Sequence, residues 1–411
     1  MNKMKREEQQ KQFSEILTFL AQQLDVTEHE FKTITTSYEA VGSFLAESDS
    51  PLKPYKPSIH PQGSFLLGTV VRPICEEDDL DIDLVCELER VPDHWTQYDL
   101  KNAVGDRLKS RDLYRKMLDE EGKRCWTLLY GDNKYHMDVL PSLVCDNYYE
   151  VVTKYFSAAA GKDPASLAIH ITDNTREDYR WEKNKDRWMI SNPFGYAQWF
   201  LASAQTRERV RDFSAEAQID PVPKYSADRF VLQRVVQLLK RHRDIMFDSD
   251  AYKSMKDYKP ISIIITTLAT ETYNHEQNLY KALRHIADHM AEKVEDRNGV
   301  KWVANPVNKA ENFADRWPGS PRKQMFDAWI NKLRSDMDKL EAAVGNGLDA
   351  IKKVLGDMFG ERVSNKTYEK YGKSLVESRK NGNMRISATG TLGLAGALNV
   401  AAHSFYGSEE A

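Results

Sequence analysis

One heptapeptide constrains this chain more than any other stretch: Asp79-Leu80-Asp81-Ile82-Asp83-Leu84-Val85. Carboxylates alternating with branched apolar residues fit a strand, in which successive side chains point to opposite faces. Asp81 and Asp83 then share one face while Ile82 and Leu84 fill the other. Two like charges side by side repel and raise each other's pKa, so a fold that keeps both ionised at neutral pH supplies a cation between them. Oxygen-only ligands favour Mg²⁺ or Mn²⁺ over zinc. Asp79 falls on the same period-2 row, which leaves open whether it or Asp83 is the second ligand. The apolar Leu84-Val85 that follows directly favours Asp83.

A third carboxylate, Asp138, lies in His136-Met137-Asp138-Val139-Leu140. Residues 125–130 and 134–140 flank Gly131-Asp132-Asn133 and predict a hairpin that Pro141 ends. Alternation puts His136, Asp138 and Leu140 on one face, so Asp138 can project toward Asp81 and Asp83 from a neighbouring strand. That layout suits two-metal phosphoryl transfer, in which ions about 4 Å apart clamp the attacking and leaving oxygens. Upstream, Gly63-Ser64 and Gly68-Thr69 predict a turn whose backbone N–H groups approach a triphosphate closely, because glycine has no Cβ in the way. Singly, a Gly-Ser pair is a turn, the acidic run 76–79 a solvated loop, and a strand-end Asp a cap. Their combination, in this order within a hundred residues, is what points to catalysis.

These residues resemble the cGAS/DncV-like nucleotidyltransferases (CD-NTases) of bacterial anti-phage (CBASS) systems, within the DNA polymerase β-like superfamily. The stretch from His60-Pro61-Gln62-Gly63-Ser64-Phe65 to Arg72-Pro73 is similar to that family's signature loop, and the strands bearing Asp81, Asp83 and Asp138 to its metal-binding strands. Segments 191–200, 259–266, Asn305-Pro306 and 311–317 also look familial. The resemblance implies an α+β, bilobed polymerase β-like nucleotidyltransferase with a mixed catalytic sheet and a helical C-terminal lobe. It implies catalysis and metal binding by Asp81, Asp83 and Asp138, with two Mg²⁺ ions that Mn²⁺ can replace. NTPs, ATP first among them, are the implied substrates, joined with release of pyrophosphate into a cyclic di- or trinucleotide second messenger. Gln62, Gly63 and Ser64 are implied nucleotide contacts.

Composition is compatible with that expectation. At 411 residues the chain is long enough for two lobes with cores of their own. Lys plus Arg total 58 against 62 for Asp plus Glu, which argues against a stable hold on long nucleic acid. Cys75, Cys86, Cys125 and Cys145 form no Cys-x-x-Cys pair, so neither a zinc site nor a disulfide framework is indicated. With no signal-like apolar stretch at residues 1–10 and no run of membrane-spanning length, a cytoplasmic location and no membrane partner are expected.

Four regions are predicted. Residues 1–50 are an N-terminal helical segment packing across the lobes, with a Thr27–Glu30 capping box before a helix over 31–45. Residues 51–205 form the catalytic core, with a proline-rich connector over 51–61, a helical stretch over 97–120, and an aromatic helix after Ser191-Asn192-Pro193. Residues 206–380 form the helical lobe, almost without strands. Residues 381–411 form a small-residue, flexible tail. In the lobe, Ser226 and Asp228 precede a helix ending in Lys240-Arg241-His242-Arg243, and Pro260 opens the next with Ser262 in its first turn. By resemblance Lys240 and Ser262 contact the donor triphosphate; without it, Lys240 complements a helix C-terminus and Ser262 caps a helix equally well. Tyr55, Tyr196 and Trp199 are candidate base-stacking rings or core residues. The family also implies an effector reached only through the product, and a ubiquitin-transfer-like enzyme acting on Ala411. The rival expectations are an RNA-tailing or small-molecule-modifying nucleotidyltransferase, and a catalytically silent nucleotide-binding sensor.

Overall fold

The computed structural model describes residues 3–75, 80–131, 135–145, 168–205, 228–343, 348–386, 392–393 and 398–400. The chain divides into two compact units: residues 26–233 with 304–313, and residues 1–25 with 234–303 and 314–411.

The first unit is built on a six-stranded mixed sheet of β1 (Ser58–Pro61), β2 (Leu80–Leu88), β3 (Trp126–Tyr130), β4 (Tyr135–Val144), β5 (Ile169–Ile171) and β6 (Met189–Ser191). Its order is β1-β2-β4-β5-β6, with β3 also paired to β4. Only β2 and β4 run parallel. Their register aligns Ile82 with Met137 and Leu84 with Val139, while the β3–β4 hairpin adds Leu128 and Trp126 to the same rows. All six are buried. With Val41 and Phe44 of the helix Glu28–Leu45 and Leu100, Val104 and Leu108 of the helix Gln97–Lys109, they belong to one hydrophobic core. Burial of this face fixes the register, since a one-residue slip would turn every apolar side chain outward.

The Thr27–Glu30 capping box is present, and the same Glu30 carboxylate accepts a hydrogen bond from Arg72 of the signature loop. Asn192 caps the helix Pro193–Ala204 by accepting from the Gly195 N–H. Three local expectations need correction. The connector 51–61 contains β1, an edge strand on β2. The stretch 97–120 is two helices, Gln97–Lys109 and Asp112–Met117, parted at Ser110-Arg111. Pro141 does not end β4, which runs on to Val144. On that strand β3 pairs as far as Val139 and β5 begins at Ser142. Pro141 itself lies opposite Cys86 of β2 and, on the other edge, at the handover from β3 to β5, so the strand continues past it between partners on both sides.

In the second unit lie the helices Lys3–Gln22, Ser262–Thr272, Leu279–His289, Arg322–Ala342, Leu348–Phe359 and Glu361–Lys380, together with residues 234–248 of the helix Val231–Asp248. A hairpin of Glu295–Arg297 and Val300–Trp302 interrupts them. Arg385–Ile386 pairs with both Leu392–Gly393 and Leu398–Asn399, so a small antiparallel sheet stands within the predicted tail. Ala411 lies outside the described residues. The helix Val231–Asp248 passes through Lys240-Arg241-His242-Arg243 rather than ending there. All four side chains are buried, which a helix interior allows once partners are supplied. Arg243 donates to the Pro260 carbonyl and His242 faces Asp336.

Candidate active site

The polar face of the sheet carries two cross-strand rows. Asp83 of β2 lies beside Asp138 of β4, which lies beside Thr127 of β3; one step along, Asp81 lies beside His136, and His136 beside Leu129. Both rows follow from the period-2 alternation that buries Ile82 and Leu84 beneath them. The three carboxylates converge, each offering an oxygen within 4.8 Å of the other two. Asp79 and its acidic neighbours 76–78 lie outside the described residues.

The hydroxyl of Thr127 donates to Asp138 Oδ1, and His136 Nε2 stands 3.2 Å from Asp81 Oδ1. Burial pushes the Asp138 carboxyl above its ordinary value; the Thr127 hydrogen bond opposes this, the Asp81 charge adds to it, and His136 opposes it. Burial, reinforced by the charges of Asp138 and Asp83, pushes the Cys125 thiol up to about 12. Without a cation it therefore stays protonated beside the carboxylates. The converging donors are all hard oxygens and Asp81 is 64% exposed, so a divalent cation can enter and relieve the repulsion.

The signature loop closes directly on this cluster. The Gln62 N–H donates to the Asp83 carbonyl at 2.9 Å, and Gly63 follows with φ +57°. A Cβ at Gly63 would stand 2.2 Å from Asp83 Oδ2, so only glycine lets the loop lie on the carboxylate. Gly63–Leu66 forms one helical turn, and the Ser64 carbonyl accepts from the Thr69 N–H at 2.9 Å. Gln233 donates to the Leu67 carbonyl at 2.8 Å and holds the end of that turn. Phe65 stacks on Phe31 at 5.0 Å and anchors the loop in the core.

Asp81, Asp83, Asp138, Gln62, Gly63 and Ser64 thus belong to the first unit, while Lys240 and Ser262 belong to the second. Lys240 is buried. The Ser262 hydroxyl accepts from Arg243 Nη1 at 3.1 Å, so Arg243 is a cation that sequence reasoning overlooked there. Its signal was its place in the same run, one turn beyond Lys240. Ser226 lies outside the described residues. Tyr196 is buried against Trp199 and Phe313, and Tyr55 meets Trp95 edge-on at the core, which makes both packing residues. Thr127 was also missed, although the hairpin register implied it: once Tyr130 faces Tyr135, Thr127 must face Asp138.

Residues 8–157 match the family model for the Second Messenger Oligonucleotide or Dinucleotide Synthetase domain. Over 404 residues the chain is 28% identical to a c-di-GMP synthase of Roseivirga ehrenbergii, covering 96% of this chain and 97% of that one. Its fold is similar to that of the CD-NTase CdnG of Bradyrhizobium diazoefficiens in complex with GTP, with TM-score 0.63, 21% identity, and 87% and 99% of the two chains covered. It is also similar to the di-nucleotide cyclase DncV of Vibrio cholerae in complex with GTP and 5MTHFGLU2, with TM-score 0.53, 17% identity, and 89% and 90% covered. The architecture shared with these structures is a mixed sheet accompanied by many helices.

Proposed function

We infer that this chain, a cGAS/DncV-like nucleotidyltransferase and synthase of cyclic oligonucleotide second messengers for anti-phage signalling, works on GTP and closes two guanylates into a ring. The observation that carries the active site is the convergence of Asp81, Asp83 and Asp138 beneath Gly63. GTP is favoured over the ATP expected from sequence because a relative matched along nearly its whole length is a c-di-GMP synthase, and a similar fold holds GTP.

Asp81, Asp83 and Asp138 would hold the metal, proposed as two Mg²⁺ ions with Mn²⁺ as substitute; when bound it neutralises triphosphate charge and acidifies the acceptor hydroxyl. The remaining chemistry is positioning. Gly63 lets the loop approach the donor phosphates from directly above Asp83, and the Gln62 N–H tied to the Asp83 carbonyl fixes that approach. Asp138 takes the proton of the acceptor ribose hydroxyl. The hydroxyl oxygen bonds to the α-phosphorus, the bond to the β-phosphate breaks, and pyrophosphate leaves. A second round on the linear intermediate closes the ring. Lys240 and Ser262 are proposed as triphosphate contacts on the family resemblance, with Arg243 orienting the Ser262 hydroxyl.

Incubation with each labelled NTP, singly and together, with Mg²⁺ or Mn²⁺ and then phosphatase, tests this. GTP alone should give a phosphatase-resistant product, absent from Asp81→Asn/Asp83→Asn protein. A need for ATP would replace the guanylate assignment with a mixed ring, and a growing linear product would overturn cyclisation.

A further inference from the structure

We propose that Thr127 is a positioning residue that holds the Asp138 carboxylate in place for metal capture and turnover; this rests on the triad acting as the metal site. Three carboxylates within 4.8 Å repel one another, and rotation about χ1 or χ2 would let any of them swing away. Asp81 and Asp83 sit on the same strand, and Asp81 is the exposed member, beside His136. Asp138 is the triad member carried by β4, so its place beside the other two depends on what holds its own side chain. The Thr127 hydroxyl has a single proton, which goes to Asp138 Oδ1. That bond holds one carboxylate oxygen and so restrains rotation of the whole group.

The geometry of β3 suits this task. Thr127 is the direct cross-strand partner of Asp138, and its neighbours Trp126 and Leu128 are buried on the opposite face. The hydroxyl is therefore carried by backbone anchored in the core, and a β-branched side chain has little χ1 freedom. Were only shape and strand propensity needed at position 127, valine would serve as well as threonine, because it has nearly the same shape and a higher β preference. Residues that orient metal ligands typically cost about 10–100-fold in metal affinity or activity when altered.

Thr127→Val and Thr127→Ser separate the two roles. In nucleotide-free protein, Mn²⁺ binding followed by electron paramagnetic resonance should weaken about 10-fold or more in Thr127→Val, and kcat should fall by a similar factor with KM for GTP unchanged. Thr127→Ser should restore most of both, since it keeps the donor and loses only a methyl group. Wild-type Mn²⁺ affinity and kcat in Thr127→Val would overturn the proposal, as would equal losses in both variants, which would mean packing. Should Thr127→Val fail to fold, Thr127→Ser compared with Thr127→Ala makes the same separation. Asp138→Asn serves as the reference: if it binds Mn²⁺ normally, the triad reading itself fails, whatever Thr127 does.

Discussion

Asp138 and Asp336 are both aspartates withdrawn from full solvent contact, one in each unit, and their surroundings are opposite. Asp336, with 3% of its side chain exposed, is met by His242 Nε2 at 3.2 Å, by Lys339 at 2.9 Å and by Lys332. Trp329 Nε1 donates to His242 Nδ1 at 3.1 Å, so the His242 proton sits on Nε2 and points at Asp336. Burial keeps His242 below its ordinary pKa, and although burial alone would raise Asp336, the hydrogen bonds from His242, Lys332 and Lys339 hold it well below the carboxylate range. Asp138 instead receives the Thr127 hydroxyl and faces two more carboxylates. A carboxylate neutralised by its own fold has nothing left to offer a ligand. One placed among like charges is complete only with a cation, and that difference in net charge separates a structural cluster from a site.

The sharpest way to break the comparison is at the backbone that lies against the triad. Gly63→Ala sets a methyl group 2.2 Å from Asp83 Oδ2 at φ +57°, where a Cβ is strained on its own account. Displacement of Asp83 or of the loop by about 1 Å should cost roughly a hundredfold in turnover. Stability should fall by only about 1–2 kcal/mol, as read by chemical denaturation. Near wild-type turnover would mean that the loop does not need to touch Asp83 in the working enzyme.

The ease with which this site could be read from sequence follows from the same asymmetry. Asp81, Asp83 and Asp138 stand out because alternation with Ile82, Met137 and Val139 leaves no apolar role for them on the buried face. The β3–β4 hairpin was legible from its Gly131 turn, and its register already contained the Thr127–Asp138 pair. Pro141 misled because a proline's cost depends on which partner strands lie alongside, here β2 on one edge and the β3-to-β5 handover on the other, which no local pattern shows. Lys240-Arg241-His242-Arg243 misled for a related reason. Three cations and a histidine in a row signal solvent or a helix end, unless distant partners such as Asp336 and the Pro260 carbonyl make burial tolerable. Those partners lie 94 and 17 residues away.

A middle-sized effect is expected at Asp336. Asp336→Ala leaves the His242 Nε2–H buried without its acceptor, while Lys332 and Lys339 can turn to water, so the loss should be about 2–3 kcal/mol. Because the folded-state pKa is depressed, this contribution is complete above the ordinary carboxylate range and is lost progressively as pH falls from about 4 through the much lower folded-state value, so variant and wild type should draw together across that interval. Mn²⁺ should still raise the Tm of Asp336→Ala, since the cation binds elsewhere, and should leave Asp81→Asn/Asp83→Asn unmoved. The comparison fails if Asp336→Ala is silent at pH 7 or if it abolishes the metal response.

The smallest effect comes from a glycine in the helical unit that contrasts with Gly63. Gly372 lies inside the helix Glu361–Lys380, and a Cβ built there meets nothing within 4 Å. Its φ is not positive, so alanine adopts the same backbone without strain. Glycine in a helix interior is about 0.8–1 kcal/mol less favourable than alanine, chiefly through the entropy it loses on folding. Gly372→Ala should therefore raise stability by somewhat less than 1 kcal/mol and Tm by about 1–3 °C, with turnover unchanged. A fall in Tm would show that this face of the helix is covered and that Gly372, like Gly63, is glycine for want of room.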